Sequence, residues 1–298
     1  MRGLLLGLLV AGSVGGCHES LGLEGATDTS TDSPSDPVTD RVEVPPTGCG
    51  NGIVEGSEEC DDGDVDDCNG CSGECQWERA LMLDNRAAGA YVEDAPCLPT
   101  SSGYPFTMEM WFRIDRYPVG LSSCKILRMG SEFWLAFRKD GYGEPGFVLS
   151  FDPLSADIGV PGMPVPGSWH HIALVFWQVE HVKMFAIYYD GTRVKLVDRA
   201  PPLAIWACAH DGLPTIFLGE HDGSDLDCIL KIDDVHYSGD YLYLHDFTPE
   251  RRLVPRSASL AFWRFDAEVL GVIPDATGHG HHARLLDGEL VADDCHMP

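Results

Sequence analysis

Acidic, sulfur and imidazole side chains gather in this sequence at spacings that could do chemistry. Asp61, Asp62, Asp64, Asp66 and Asp67 fall within one short stretch, and clustered carboxylates are hard oxygen ligands suited to calcium. Their spacing is not that of an EF-hand loop, which needs Glu at its twelfth position. A solvated acidic turn therefore stands beside the calcium reading. The same stretch carries Cys49, Cys60, Cys68, Cys71 and Cys75. Cys68, Cys71 and Cys75 could hold zinc, or the cysteines could form disulfides. His170 and His171 are adjacent in a run that reads as a strand. Neighbouring strand residues point to opposite faces, so these two cannot easily share one ion. His279, His281 and His282 sit in a Gly-rich turn, where imidazoles could chelate a transition metal or simply make a polar turn. No His-Glu-x-x-His motif occurs. Trp111, Trp134, Trp177, Trp206 and Trp263 could stack on sugars, although such aromatics more often fill a core. Trp206, in the Pro- and Ala-rich stretch Pro201–Gly212, is the one expected to be exposed.

The compartment decides among these chemistries. Eleven cysteines are too many for a reducing compartment unless they bind metal. Met1-Arg2 gives a basic start, Gly3–Val10 an apolar run, and Ser13–Gly16 small residues before Cys17. That run is too short to span a bilayer and reads as a secretory signal. Secretion favours disulfides over zinc. Acidic residues number 47 against 20 basic ones, a formal net charge of −27, which disfavours nucleic acid and anionic lipid as partners. His18–Gly48 has no hydrophobic period, and Ala26–Thr47 is rich in Thr, Ser, Asp and Pro. Such a stretch cannot offset its chain entropy by burial, so a disordered, extended acidic tether is expected.

Positioning falls to a large β region. Pro166–Leu196 reads as three antiparallel strands: an apolar run over Trp169–Trp177, an alternating one over Lys183–Tyr189, and a return over Thr192–Val197. Asp190-Gly191 supplies the tight turn between the last two. Further strands are predicted at Ala80–Asp84, Ala90–Glu93, Phe106–Ile114, Lys125–Met129, Phe133–Arg138, Phe147–Phe151, Thr215–Leu218, Ile229–Tyr237, Leu260–Phe265 and Ala283–Leu286. In Phe106–Ile114, Met108, Met110, Phe112 and Ile114 alternate against Glu109, Trp111 and Arg113. The only helix signal is one turn at Thr248–Leu253, capped by Thr248 with Pro249 at the first position. Roughly a dozen strands suit a two-sheet sandwich.

Motifs sharpen this outline. Val14-Gly15-Gly16-Cys17 resembles a bacterial lipobox, which implies a diacylglycerol anchor on Cys17; the alternative is an ordinary signal with Cys17 in a disulfide. Position 18 is His rather than Asp, so the resemblance implies the outer membrane or cell surface, or a secreted protein. Cys49-Gly50-Asn51-Gly52, Glu58-Glu59-Cys60-Asp61-Asp62-Gly63, Gly70-Cys71-Ser72 and Cys75-Gln76 resemble the cysteine-rich disulfide repeat of myxobacterial surface proteins. That repeat uses four cysteines, here Cys49, Cys60, Cys71 and Cys75, leaving Cys68 extra. Gly167–Ala173 (GSWHHIA), Tyr188–Gly191, Leu81–Asp84, Phe106–Trp111 (FTMEMW), Ile232–Tyr237 (IDDVHY) and Leu260–Phe265 with Asp275–Gly280 resemble LamG-like jelly rolls of the concanavalin A-like lectin/glucanase superfamily. The expected organisation is a signal peptide at 1–16, a disordered linker at 17–48, a cysteine-rich repeat at 49–76, and an all-β, two-sheet antiparallel jelly-roll sandwich at 77–298.

The resemblance also implies sites. Calcium in such folds sits on loop and strand-end carboxylates, which by motif position are Asp84, Asp233 and Asp234, with Asp222 and Asp225 from the preceding loop. The Glu-x-Asp-x-x-Glu pattern of the superfamily's glycosidases is missing, and Glu109 stands alone, so no enzyme is expected. Cys97 with Cys124 and Cys208 with Cys228 flank single strands and are the preferred pairs. Cys68 and Cys295 could then bridge the chain ends. The function expected is non-catalytic, cell-surface recognition of carbohydrate or an extracellular protein, with Trp206 as a ligand contact. A structural subunit of the envelope, or an unusual polysaccharide hydrolase, are the alternatives.

Overall fold

Period-two alternation is what the chain realises. In the computed structural model, residues 48–66, 70–84, 88–93, 105–117, 123–129, 133–138, 146–151, 158–161, 164–198, 216–220 and 228–292 are described. They form β1 (Arg79–Asp84), β2 (Ala88–Val92), β3 (Phe106–Arg116), β4 (Ser123–Met129), β5 (Phe133–Arg138), β6 (Gly146–Phe151), β7 (Ile158–Pro161) and β8 (Trp169–Val179). The second half adds β9 (Val182–Tyr189), β10 (Thr192–Asp198), β11 (Ile216–Glu220), β12 (Ile229–Ser238), β13 (Ser259–Trp263), β14 (Val272–Ile273), β15 (Ala283–Leu285) and β16 (Glu289–Ala292). One sheet runs β10-β9-β8-β3-β12-β1-β16, with β13 also on β12; the other runs β14-β15-β2-β11-β4-β5-β6-β7. All pairings are antiparallel, and no helix forms among the described residues. The short strands β7, β14 and β16 were not legible as strands in the sequence.

The core lies between the sheets. Phe106, Met108, Met110, Phe112 and Ile114 of β3 face it with Ile172, Leu174 and Phe176 of β8, and meet Leu135, Phe137, Leu149 and Ile216 of the second sheet. This is the aligned packing of two pleated faces. Cys124 of β4 and Cys228, just before β12, form a disulfide with Cα atoms 6.2 Å apart. This corrects the expected Cys97–Cys124 and Cys208–Cys228 pairs. Cysteines flanking one strand are near in sequence, but Cys124 and Cys228 stand opposite each other across the two sheets.

The first sheet is covered on its other face as well. Thr107, Glu109, Trp111, His171, Ala173, Val175 and Tyr188 face away from the core and are still buried. Residues 239–258, an irregular segment whose ends meet through Gly239 N–H donating to Ala258 O at 2.8 Å, cover them. The predicted helical turn at Thr248–Leu253 does not form. Its backbone groups are spent on the sheet instead: Trp111 Nε1 donates to Glu250 O at 3.1 Å, and Leu253 N–H donates to Asp234 Oδ2 at 2.7 Å. The segment passes so close to the β9–β10 turn that a Cβ on Gly191 would lie 1.9 Å from Phe247 O.

Candidate functional site

Residues 48–78 have almost no apolar core of their own. Disulfides Cys49–Cys75 and Cys60–Cys71, with Cα separations of 5.5 and 5.8 Å, replace it. The Asp61 carboxylate organises the surrounding turns. Its Oδ1 accepts from Gly52 and Gly63 N–H at 2.8 and 2.9 Å, and its Oδ2 from Gly50 and Asn51 N–H at 3.1 and 3.2 Å. Desolvation works to raise its pKa, but these four amides outweigh it and hold the group below the usual carboxylate range. Asp64 and Asp62 similarly accept from Asp66 and Asp64 N–H. The acidic turn is thus built by the carboxylates themselves. One close group of potential ligand atoms, from Glu58, Asp61 and Cys75, includes a sulfur already committed to a disulfide.

This disulfide-bonded piece and the sandwich enclose a cleft of about 440 Å³, within the size range of small-ligand sites. Val65, Ser72, Glu74 and Gln76 line one side, and Arg264, Phe265, Asp266, Pro274 and Ala276 the other. Phe265, nearly fully buried, holds a left-handed backbone with φ of 64°, a conformation costly for a non-glycine residue. The guanidinium of Arg264 lies 5.7 Å from the Phe262 ring centroid. Its Nε is buried without a hydrogen-bond acceptor. The lining pairs a donor-only guanidinium with an acceptor-only carboxylate and an amide that does both.

A second constellation lies under the covering segment. Glu109 was expected to stand alone, but β8 and β12 flank it with imidazoles. Its Oε1 lies 2.8 Å from His236 Nδ1 and its Oε2 3.3 Å from His171 Nε2. Tyr243 of the covering segment donates to Oε2 at 2.8 Å, and His236 Nε2 lies 2.6 Å from Ser259 Oγ. Burial works to raise the Glu109 pKa, but the bonds to His171 and His236 outweigh it and bring the group to about 2. Ser259, His236 and Glu109 stand in the order of an acyl-transfer relay. Yet Ser259 is only 4% exposed, and its Oγ already accepts from Arg256 N–H at 2.7 Å. The arrangement fixes the segment to the sheet and offers a substrate no free face of the serine.

Among the described residues, Asp84 is not brought to Asp233 and Asp234, the other carboxylates expected to hold calcium. Asp84 is exposed at the end of β1 opposite Ile229, away from Asp233 and Asp234 in the middle of β12. Asp234, at φ 48° beside a register shift, turns toward Arg252 of the covering segment. Arg252 contacts Glu78 at 3.2 Å, Asp234 at 3.9 Å, and Asp266. Burial works to lower the Arg252 pKa, but Asp234, Asp233, Asp266 and Glu78 outweigh it and raise it. The Arg252 guanidinium thus faces Asp233 and Asp234, where calcium was expected. Asp222 and Asp225 lie outside the described residues, as do Cys17, Cys68, Cys97, Cys208, Cys295 and Trp206. The signal segment and the linker through residue 47 do too.

The imidazole pairs separate as their strand positions dictate. His170 Nδ1 lies 2.8 Å from Asp190 Oδ2, while His171 faces Glu109 on the opposite side. His279 Nδ1 lies 3.1 Å from Leu260 O of β13, and His282 Nδ1 accepts from Asp275 N–H at 3.0 Å, so one ring ties the turn to β13 and the other serves the turn itself. Trp111 and Trp263 are core, and Trp177 packs at the edge of the outer cluster.

No family model matches this chain, and no curated protein matches it. Among solved structures it is similar to a candidate carbohydrate binding protein from Bacteroides ovatus ATCC 8483, with a TM-score of 0.55 and 17% identity over 76% of this chain and 63% of that one. The chain thus spans less than two thirds of that protein, and the likeness shows a shared fold. It is also similar to a heptameric SAP-like pentraxin from Limulus polyphemus, at TM-score 0.42 and 14% identity over 73% of this chain and 93% of that one. A further similarity is to domain 4 of AbnA, a GH43 extracellular arabinanase from Geobacillus stearothermophilus, at TM-score 0.34 and 17% identity over 51% and 69%.

Proposed function

We propose that this protein recognises carbohydrate without transforming it, and that the cleft between the disulfide-bonded piece and the sandwich is where it does so. The observation that carries this reading is the cleft's lining. A sugar presents hydroxyls that donate and accept side by side, and C–H faces that pack on apolar surface. Arg264, Glu74 and Gln76 supply donors and acceptors, and Val65, Pro274 and Ala276 supply apolar surface. The buried state of Ser259 and Glu109 supports binding over hydrolysis. The shared fold with a candidate carbohydrate binding protein agrees with it.

The cell-surface setting is part of the same proposal and rests on the Cys17 motif and the acidic tether. Calcium on Asp84, Asp222 and Asp225 belongs to the same proposal, and at Asp233 and Asp234 it would compete with the Arg252 guanidinium. Glycan-array binding by the full chain is the test. Binding to a defined set of saccharides is expected, and an array that stays blank would end the carbohydrate reading in favour of an envelope-assembly role.

A further inference from the structure

We infer that Arg264 is the specificity-determining residue of the cleft and that the saccharide it takes is uncharged. This rests on the carbohydrate reading of the cleft. In a chain with 47 acidic and 20 basic side chains, an arginine would readily find a carboxylate. Arg264 makes no ion pair among the described residues, and its Nε is buried without an acceptor. Nε is shut off from the cleft, but the terminal N–H donors of Arg264 make no hydrogen bond among the described residues and are left for a ligand in the cleft it lines. The Phe262 ring lies beside the guanidinium, whose planar fork of N–H donors suits adjacent oxygens.

The charge of that ligand follows from what surrounds the fork. Among the described residues, Arg264 is the only base in the lining, against Glu74 and Asp266. Behind Asp266, Arg252 is shared among Glu78, Asp233, Asp234 and Asp266, and Asp266 also draws on Arg264 itself. The chain as a whole carries −27. A uronate or sulfated sugar entering the cleft would meet a negative field despite Arg264. A neutral sugar avoids that cost: one hydroxyl accepts from Arg264 while a neighbour donates to the exposed Glu74 carboxylate. This role was not legible in the sequence, because Arg264 stands inside a motif and only the fold sets the disulfide-bonded piece against it.

The test is a glycan array carrying neutral, uronate, sialylated and sulfated saccharides, probed with the full chain and with Arg264→Met and Glu74→Gln. Hits confined to neutral saccharides are expected, weakened roughly tenfold or more by Arg264→Met and several-fold by Glu74→Gln. Glu74 is exposed, so its variant tests the cleft even where Arg264→Met lowers stability. Preferred binding of acidic saccharides would overturn the inference. So would neutral binding that both variants leave unchanged, and in that case the carbohydrate reading survives elsewhere on the molecule. A blank array removes that reading and this one together.

Discussion

The Tyr243 hydroxyl donates to Glu109 at 2.8 Å, joining the irregular covering segment to the middle strand of the sheet beneath it. Glu109 is wholly buried and gives its other oxygen to His236. Thr107 makes a parallel tie, donating to Asp240 O at 2.8 Å and accepting from Leu242 N–H at 3.0 Å. Polar groups on this face replace the second apolar layer a sheet would otherwise need, and each must be satisfied. Long irregular connections inside compact folds are uncommon, and this one is held by such ties along its length.

Acid should loosen it. Glu109 sits at about 2, below its ordinary 4.5, so the folded protein binds fewer protons there than the unfolded chain. Its stabilisation is therefore complete above pH 4.5 and is lost as pH falls from there through about 2. The shift corresponds to roughly 3 kcal/mol. Urea unfolding against pH should show that limb in the wild-type chain and a flattened one in Glu109→Gln. An unchanged limb in the variant would place the acid sensitivity elsewhere.

Ser259 should behave as a structural hydroxyl despite its place beside His236. A fluorophosphonate probe, which labels activated serines, is expected to leave the native chain unmodified. Ser259→Ala should lower stability by about 1–3 kcal/mol through the orphaned imidazole and Arg256 amide. Labelling at Ser259, read by mass spectrometry, would count against the binding-only reading.

The β9–β10 turn gives a sharper stability test. Gly191 has φ of 75°, and its absent side chain leaves room for Phe247 O. Gly191 O also accepts from Phe247 N–H at 2.9 Å. Gly191→Ala should cost at least about 1–3 kcal/mol from backbone strain alone. It should also raise proteolysis within 239–258 before the sandwich unfolds. A melting temperature equal to wild type would show that the segment can move aside freely.

Asp190-Gly191 was legible in the sequence as a turn, because glycine there answers a local need. The β3 alternation was legible too, since Met108, Met110 and Phe112 share a face whatever they pack against. The covering segment was not. Thr248-Pro249 is a sound local helix start, and tertiary bonds to Trp111 and Asp234 outweigh it. The cluster at Glu109 was hidden for a related reason: its partners come from β8, β12 and the segment, far apart in the chain. Asp233-Asp234 was visible as a motif, but the cation facing it, Arg252, is set by the chain's path.

The Cys124–Cys228 bridge links strands of the two sheets across a separation of 104 residues. By chain entropy, closing so long a loop stabilises the fold by about 4–5 kcal/mol. Non-reducing peptide mapping should recover a Cys124–Cys228 peptide pair. A Cys124→Ser/Cys228→Ser chain should lose most of that stability in urea unfolding. Recovery of Cys97–Cys124 and Cys208–Cys228 peptides instead would restore the pairing expected from sequence.

Substitution of Arg252 separates a salt-bridge cage from a calcium site. Its guanidinium meets Glu78, Asp234 and Asp266, and Glu78 in turn accepts from Gly70 N–H at 3.1 Å. The cage thus ties the covering segment, the sandwich and the disulfide-bonded piece together. Removing one partner of a buried ion cluster leaves the others uncompensated, so Arg252→Met should cost about 3–5 kcal/mol. The wild-type melting temperature should not respond at this cage to calcium or to a chelator, since a bound ion stabilises by mass action only where it finds a site. In Arg252→Met the four carboxylates lose their cation, and millimolar calcium should recover part of the lost stability. Calcium that stabilises the wild-type chain but not an Asp233→Asn/Asp234→Asn chain would show that the ion, not the arginine, belongs there.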